Sequence, residues 1–476
     1  MMKRLLILLL CAAFSVSSVA SNLPDLGDVA SADLSPLAER KLGESIMRDL
    51  RWRDPAYLDD PEIEGYVNRL GRRLVEASGE GDRPFHFFVI RDPSINAFAL
   101  PGGFIGLHSG LITTAETESE LASVVGHEIA HVTQRHIAQL FGRQSQAGMI
   151  MMASVLVAIL AARSNSDVSE AALAAGQAGA IQQQLGYTRA FEREADRIGL
   201  QILDRGGFDP QAMPRFFERL QRSSRLYENN APGYLRTHPL TEERISDMGN
   251  RVAQMRYRQV LDSPDFGFVR TKLLATEGAA VDVLRAYEGR IASGEDGVLT
   301  RYGQAIALLR LGRADAALEV LLALRGQAED SPFIESALAE AHLAARDSLA
   351  AIDVLESAVA RFPEHRSLDY LLIESLLRAD RAADAAVRAR GGAIRAAGDE
   401  RYWALASRSE AALGRMSAYH RAQAEVYVLR GSLPAAVEQL ELARRAGDGD
   451  FHEMSAIDAR LRMLKQEEEA ERRSRR

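Results

Sequence analysis

Two histidines, His127 and His131, stand four residues apart around Glu128 in the run Val125-Gly126-His127-Glu128-Ile129-Ala130-His131. On a helix that spacing sets the imidazoles about 40° apart around the axis, so both reach one cation while the acid stays beside it. The chemistry of such a set is a zinc site with a general base. Five-residue patterns with three fixed letters also arise by chance, and paired histidines on a helix face are commonly surface or core residues. A third ligand is therefore required, because catalytic zinc takes three protein ligands and keeps a position for water. Glu192 and Asp196, in Phe191-Glu192-Arg193-Glu194-Ala195-Asp196, share a face of a second helical pattern continued by Ile198, Leu200 and Leu203. One carboxylate can bind the metal while the other orients a ligand histidine through its second nitrogen.

The flanking pattern supplies the helix. Leu121, Val124, Val125, Ile129 and Val132 recur at spacings of three and four, and Thr117 with Glu120 forms a capping-box signature. Gly126 weakens that helix and is tolerated where backbone passes close to another element or to the metal. After His131 the helix is expected to continue through His136, whose azimuth lies well away from His127 and His131 and which reads as a solvent or packing residue. Ser35-Pro36 and Asp60-Pro61 start helices that run to about Leu50 and Glu76. Phe85 to Ile90 reads as a strand, and Ala97 to Leu100 with Phe104 to Leu107 as a second strand broken by Pro101-Gly102-Gly103. His86 and His108 have no partner at metal spacing and read as strand or turn histidines. Asn96, Ala97, Phe98 and Ala99 precede a proline that suits an edge strand, which can accept an extended substrate as an added strand; an interior strand ending at a turn fits equally.

His127-Glu128-x-x-His131 followed by Glu192-x-x-Ala195-Asp196 resembles the gluzincin zinc metallopeptidases related to the prenyl-protein proteases and the HtpX-type membrane heat-shock proteases. Asn96 to Gly103, His238-Pro239 and a helical-repeat tail extend the resemblance to periplasmic members that serve outer-membrane β-barrel assembly, over nearly the whole chain after the leader. The resemblance implies that His127, His131 and Glu192 bind one Zn2+, that Glu128 is the base and that Asp196 orients a ligand. It also implies that His238 approaches the zinc and occupies the water position as a plug. Arg244 is a candidate for organising the site or stabilising an oxyanion, with a plain helix-surface arginine as the simpler reading. A metzincin arrangement is excluded, since Gln134 and Ile137 stand where it needs glycine and histidine.

At 476 residues, 47% hydrophobic and 26% charged, the chain has globular composition and room for more than one domain. A net charge of -8 gives no support for nucleic-acid binding, which wants a basic surface. Lys3 and Arg4, the apolar stretch Leu5 to Phe14 and Ser18-Val19-Ala20 read as a signal peptide over 1–20 that is cleaved after Ala20 and sends the protein to the periplasm. Cys11, the only cysteine, lies within it. The expected fold is mainly α: a zincin-like α+β protease domain with a small sheet over 21–262, then a tetratricopeptide-like solenoid over 270–465 and a charged, solvated tail over 466–476. Within the first domain, 147–186 reads as a lid or membrane-contacting insertion, because Ala147 to Ala162 is apolar yet short of a full span. The turn segments at Gly312-Arg313, Arg346-Asp347, Arg381-Ala382 and Gly431-Ser432 lead into comparable helices; the steps Ala316 to Ala350 and Ala350 to Ala385 are 34 and 35, and the last interval is longer, which makes the third unit irregular. Stacked helix pairs form a curved groove for protein segments.

Two functions follow. One is a secreted zinc endopeptidase in which the metal activates water and Glu128 accepts its proton. The other is a repeat-based chaperone or assembly scaffold with a mostly silent zinc site. The resemblance implies both, with unfolded or misassembled envelope proteins and the β-barrel assembly machinery as partners.

Overall fold

The computed structural model describes residues 35–141, 189–225, 233–327 and 330–474. The expected leader and the insertion at 147–186 lie outside them. Two proline-started helices come first, α1 (Pro36–Arg53) and α2 (Pro61–Ser78). Ser35 Oγ accepts the Ala38 N–H at 3.2 Å, and Asp60 Oδ1 accepts those of Glu62 and Ile63 at 2.9 and 3.1 Å, so side chains satisfy N–H groups the first turn leaves open. Three strands follow: β1 (His86–Ile90), β2 (Ala97–Leu100) and β3 (Phe104–His108), in the order β1-β3-β2. β1 runs parallel to β3 with His86 opposite Phe104, and β2 antiparallel to it with Ala97 opposite Leu107. The expected single broken strand is thus an antiparallel pair, because Gly102 and Gly103 take φ of 77° and 85° and reverse the chain. Period-two alternation sorts the sheet: Phe88, Ile90, Leu100 and Phe104 pack on Ile46, Met47 and Leu50 of α1, while Phe87, Val89, Ala97, Ile105 and Leu107 enter the main core.

That core is built around α4 (Glu118–Thr133), reached through the short α3 (Ser109–Thr114), with every side chain from Glu118 to Val132 buried. A wholly buried helix must find partners for its polar groups. At its start Thr117 Oγ1 accepts the Glu120 N–H, Glu120 Oε2 accepts that of Glu116, and Arg219 clamps the same carboxylate at 2.6 and 2.5 Å. Then come α5 (His136–Phe141), α6 (Arg189–Arg205), α7 (Ala212–Arg225), α8 (Gly233–Thr237) and α9 (Glu242–Val252).

From Pro264 onward helix pairs repeat. First helices start at Pro264, Val298, Pro332, Arg366 and Glu400, and second helices at Ala280, Ala314, Ser348, Ala382 and Met416, each 34 residues after the last. The residue between the two helices is left-handed each time, at Gly278, Gly312, Arg346, Asp380 and Gly414. In four of these turns the next N–H reaches back five residues to close the helix end, as Arg313 does to Leu308 at 3.0 Å. The period corrects two expectations. Gly414-Arg415 is the fifth turn into a second helix, whereas Gly431-Ser432 opens the first helix of the next pair, so the third unit is regular. The tail at 466–476 is covered to Ser474 by the last helix, Phe451–Ser474.

The repeats also begin before 270, inside the main core. In the first repeat helix, α10 (Pro264–Thr276), Phe266, Phe268, Val269 and Leu273 join the same hydrophobic cluster as Tyr66, Leu74 and Ile129. Glu118 accepts the Tyr66 hydroxyl at 2.9 Å and the Ser263 hydroxyl at 2.6 Å, and Asp262 accepts the Glu118 N–H at 2.7 Å. Lys272, buried, pairs with Asp60 at 2.8 Å and with Glu62. Burial works against the charge of Lys272, but Glu62 and Asp60 hold its ammonium well above the usual lysine range. Residues 21–262 are therefore not a self-contained core. Lys272→Ala leaves the buried Glu62 and the half-buried Asp60 without their cation and is expected to cost about 3–5 kcal/mol in urea unfolding of the full chain. Removal of the exposed Arg285–Asp282 pair should cost less than about 1 kcal/mol.

Candidate active site

α4 and α6 cross at glycine. A Cβ on Gly199 would lie 3.0 Å from both Cα and N of His127, and one on Gly126 would lie 3.3 Å from the Gly199 carbonyl oxygen. This close approach accounts for the helix-weakening Gly126. It carries Glu192 and Asp196 of α6 to the imidazoles of α4. His238 enters from the turn after α8, its N–H bonded to the Tyr234 carbonyl at 2.7 Å and its ring stacked on Tyr234 at 4.7 Å.

One donor atom from each of His127, His131, Glu192 and His238 falls within 4.8 Å of the others, all buried. His131 Nε2 lies 3.0 Å from His127 Nε2; His238 Nδ1 lies 3.4 Å from His127 Nε2 and 3.1 Å from Glu192 Oε1; Glu192 lies 3.6 and 3.5 Å from the two helix histidines. Ligands at zinc's usual ~2.0–2.1 Å in a tetrahedron sit ~3.3 Å apart, so these separations fit the ion. The charge fits as well. Among the described residues, Glu128, Glu192 and Asp196 are buried carboxylates against the buried guanidinium of Arg244, a net deficit of two positive charges if the imidazoles are neutral. A divalent cation closes it. The same demand acts on protons: burial opposes it, but Asp196 and Glu192 push His127 up to about 9. His131 goes the other way, held well below 6.5 by burial and by His127.

Around this centre, His127 Nδ1 lies 3.1 Å from Asp196 Oδ1. Arg244 grips both Asp196 oxygens at 2.7 Å, reaches Glu192 Oε2 at 2.8 Å and donates to the Pro239 carbonyl at 2.7 Å. It is 4% exposed, so the surface-arginine reading is overturned; the N-cap Thr241 turns α9 so that Arg244 faces inward. Both Glu128 oxygens are buried without a hydrogen bond, and His238 Nε2 lies 3.5 Å from Oε1. Burial pushes the Glu128 carboxyl up, against the opposing pull of His238 and His127. β2, one of the two outer strands of the sheet, packs beside α4: the Asn96 carbonyl accepts the His108 N–H at 3.0 Å, Asn96 Oδ1 is buried without a partner, Ala97 is buried, and Phe98 and Ala99 are half-buried. His86 and His108 stay outside the cluster; His108 Nδ1 meets Ser94 Oγ at 2.9 Å.

Sequence reasoning missed His136. The helix does not continue: Gln134 ends it and Arg135 turns left-handed at φ 55°, which costs a non-glycine residue about 1–2 kcal/mol. The ring swings back, buried, with Nδ1 2.9 Å from His131 Nδ1 and Nε2 3.3 Å from Glu194 Oε2. The only signal was a third histidine within ten residues. Tyr234, buried with its hydroxyl unbonded, was missed as well.

A mixed α+β unit with a buried His-His-Glu centre and an adjacent free carboxylate is a zinc metallopeptidase. The family model for peptidase family M48 matches residues 61–252. The β-barrel assembly-enhancing protease of Escherichia coli (strain K12) is 33% identical over 98% of this chain and 98% of its own. A putative β-barrel assembly-enhancing protease of Vibrio cholerae is 39% identical over 71% of each chain, and the mitochondrial metalloendopeptidase OMA1 of Arabidopsis thaliana 28% identical over 51% and 48%. With such likeness over its full length, the chain belongs to peptidase family M48.

Because α4 and α6 touch backbone to backbone, Gly199→Val should part them and lower zinc affinity by more than about tenfold in chelator competition. Gly249→Ala, in a helix with open space at the Cβ, should leave zinc affinity unchanged and add up to about 1 kcal/mol of stability.

Proposed function

We propose that this protein is a periplasmic zinc endopeptidase that removes unfolded or misassembled envelope proteins during outer-membrane β-barrel assembly. The convergence of His127, His131 and Glu192 beside an unbonded, buried Glu128 carries the reading. The names of the relatives support the client class. A zinc ion held by those three residues would polarise the scissile carbonyl and acidify a water. Glu128 takes the water's proton and returns it to the leaving amine. Asp196 and Arg244 hold His127 and Glu192 in place, and the oxyanion role for Arg244 is set aside because its guanidinium is occupied by carboxylates. Asn96 to Ala99 receive the substrate as an added strand. The repeats, tetratricopeptide-like in period, hold clients with a chaperone-like function and meet the assembly machinery. Contact with the membrane is peripheral and assigned to 147–186; among the described residues no helix is long and apolar enough to cross a membrane.

Glu128→Gln is expected to keep zinc and fold while lowering hydrolysis of an unfolded protein by about 10²–10⁴. Wild-type rates in that variant would dismiss Glu128 as base.

A second reading, a scaffold with a mostly silent site, draws on His238, whose Nδ1 stands as a fourth donor where water must enter. Both readings meet if His238 is a plug that clients displace, since a ligand shifts such a balance only by favouring the open state. His238→Ala should then raise basal proteolysis and autolysis at equal zinc occupancy. An equal or lower initial rate would sink the plug.

A further inference from the structure

We infer that His136 is a positioning residue for the metal centre, the middle member of a His131–His136–Glu194 hydrogen-bond relay, an inference that rests on the zinc reading above. His131 turns Nε2 toward the centre, 3.0 Å from His127 Nε2 and 3.5 Å from Glu192. A ligand nitrogen offers its lone pair, so the His131 proton resides on Nδ1. That N–H donates to His136 Nδ1 at 2.9 Å. With Nδ1 accepting, the proton of neutral His136 resides on Nε2, which donates to Glu194 Oε2 at 3.3 Å. Each tautomer follows from the one before. His127 reaches its carboxylate, Asp196, directly; His131 reaches one through an imidazole.

The fold invests in this placement. Left-handed Arg135 breaks the helix so that His136 returns toward the site, and Phe191 stacks on its ring at 4.4 Å and 17°. Phe191 precedes Glu192, so one turn of α6 supplies a metal ligand, the clamp on His136 and the terminal carboxylate. The relay also leads outward. Glu194 is 40% exposed and lies 3.8 Å from Arg197, so a surface ion pair connects with the metal through two rings. A hydrogen-bonded partner on the second nitrogen fixes a ligand histidine's tautomer and raises its basicity.

The test uses the full chain, with zinc affinity read by competition against a chromophoric chelator and ligand geometry by the visible spectrum of the cobalt-substituted protein. His136→Phe keeps a ring against Phe191 and removes the acceptor; His136→Asn places an amide oxygen where Nδ1 was. His136→Phe should weaken zinc binding about 10- to 100-fold and shift the cobalt bands, with the melting midpoint of the metal-free protein unchanged. His136→Asn should recover most of the loss. Glu194→Ala should weaken zinc binding in the wild-type background and have no effect in the His136→Phe background. The relay is overturned if His136→Phe binds zinc like wild type, if Glu194→Ala costs the same in both backgrounds, or if zinc loss merely follows a lower metal-free midpoint. A wild-type chain that takes up no zinc would end the peptidase reading instead.

Discussion

The structure depends on the backbone contact between α4 and α6. Gly126 and Gly199 let the two helices approach until the backbone of one lies against that of the other. At that separation Glu192 and Asp196 reach His127 without stretching, and Arg244 closes over both. Wider spacing would leave a buried histidine pair facing no acid and buried acids facing no base, each of which carries a desolvation penalty of several kcal/mol. The glycines thus set both the metal geometry and the charge balance.

Burial makes that balance strict. α4 carries polar groups through the middle of the molecule, so each must be matched inside the protein. The matches extend outward: Glu120 to Arg219, Glu118 to Tyr66 and Ser263, and Asp262 to the start of α4. Asp262 and Ser263 stand directly before the first repeat helix, and Lys272 of that helix is buried against Asp60 and Glu62. The solenoid is therefore fastened to the N-terminal end of the helix that bears the histidines, and the hydrophobic cluster runs from Ile129 through Leu273 to Tyr402.

The turn that carries His238 is tied to the edge strand. The Tyr234 N–H donates to the Ile95 carbonyl at 3.1 Å, one residue before Asn96, and the Tyr234 ring stacks on His238. A movement that withdraws His238 from the centre passes through a hydrogen bond at the entrance to β2. The His238 turn and β2 are mechanically one assembly in this respect, and His238 Nε2 facing Glu128 at 3.5 Å joins that carboxylate to it.

The amino-acid sequence by itself determined the local pieces. His127, Glu128 and His131 lie together because helical spacing puts them there, Glu192 and Asp196 for the same reason, and the capped helix starts at Ser35, Asp60 and Thr117 follow from side chains within three residues of the N–H groups they satisfy. The repeat period was legible in its small-residue turns, although the phase slipped at Gly431, because Gly414 and Gly431 both look like turns and only packing tells a first helix from a second. Tertiary structure decided what local spacing does not encode. His136 turned inward because one left-handed residue cancels an azimuth computed for an unbroken helix; Arg244 was buried because two carboxylates on α6 face it; and the first repeat joined the protease core because Lys272 and Glu62, 210 positions apart in the chain, are buried against each other. Helical spacing acts over four residues, while charge compensation in a buried site acts through space regardless of chain separation.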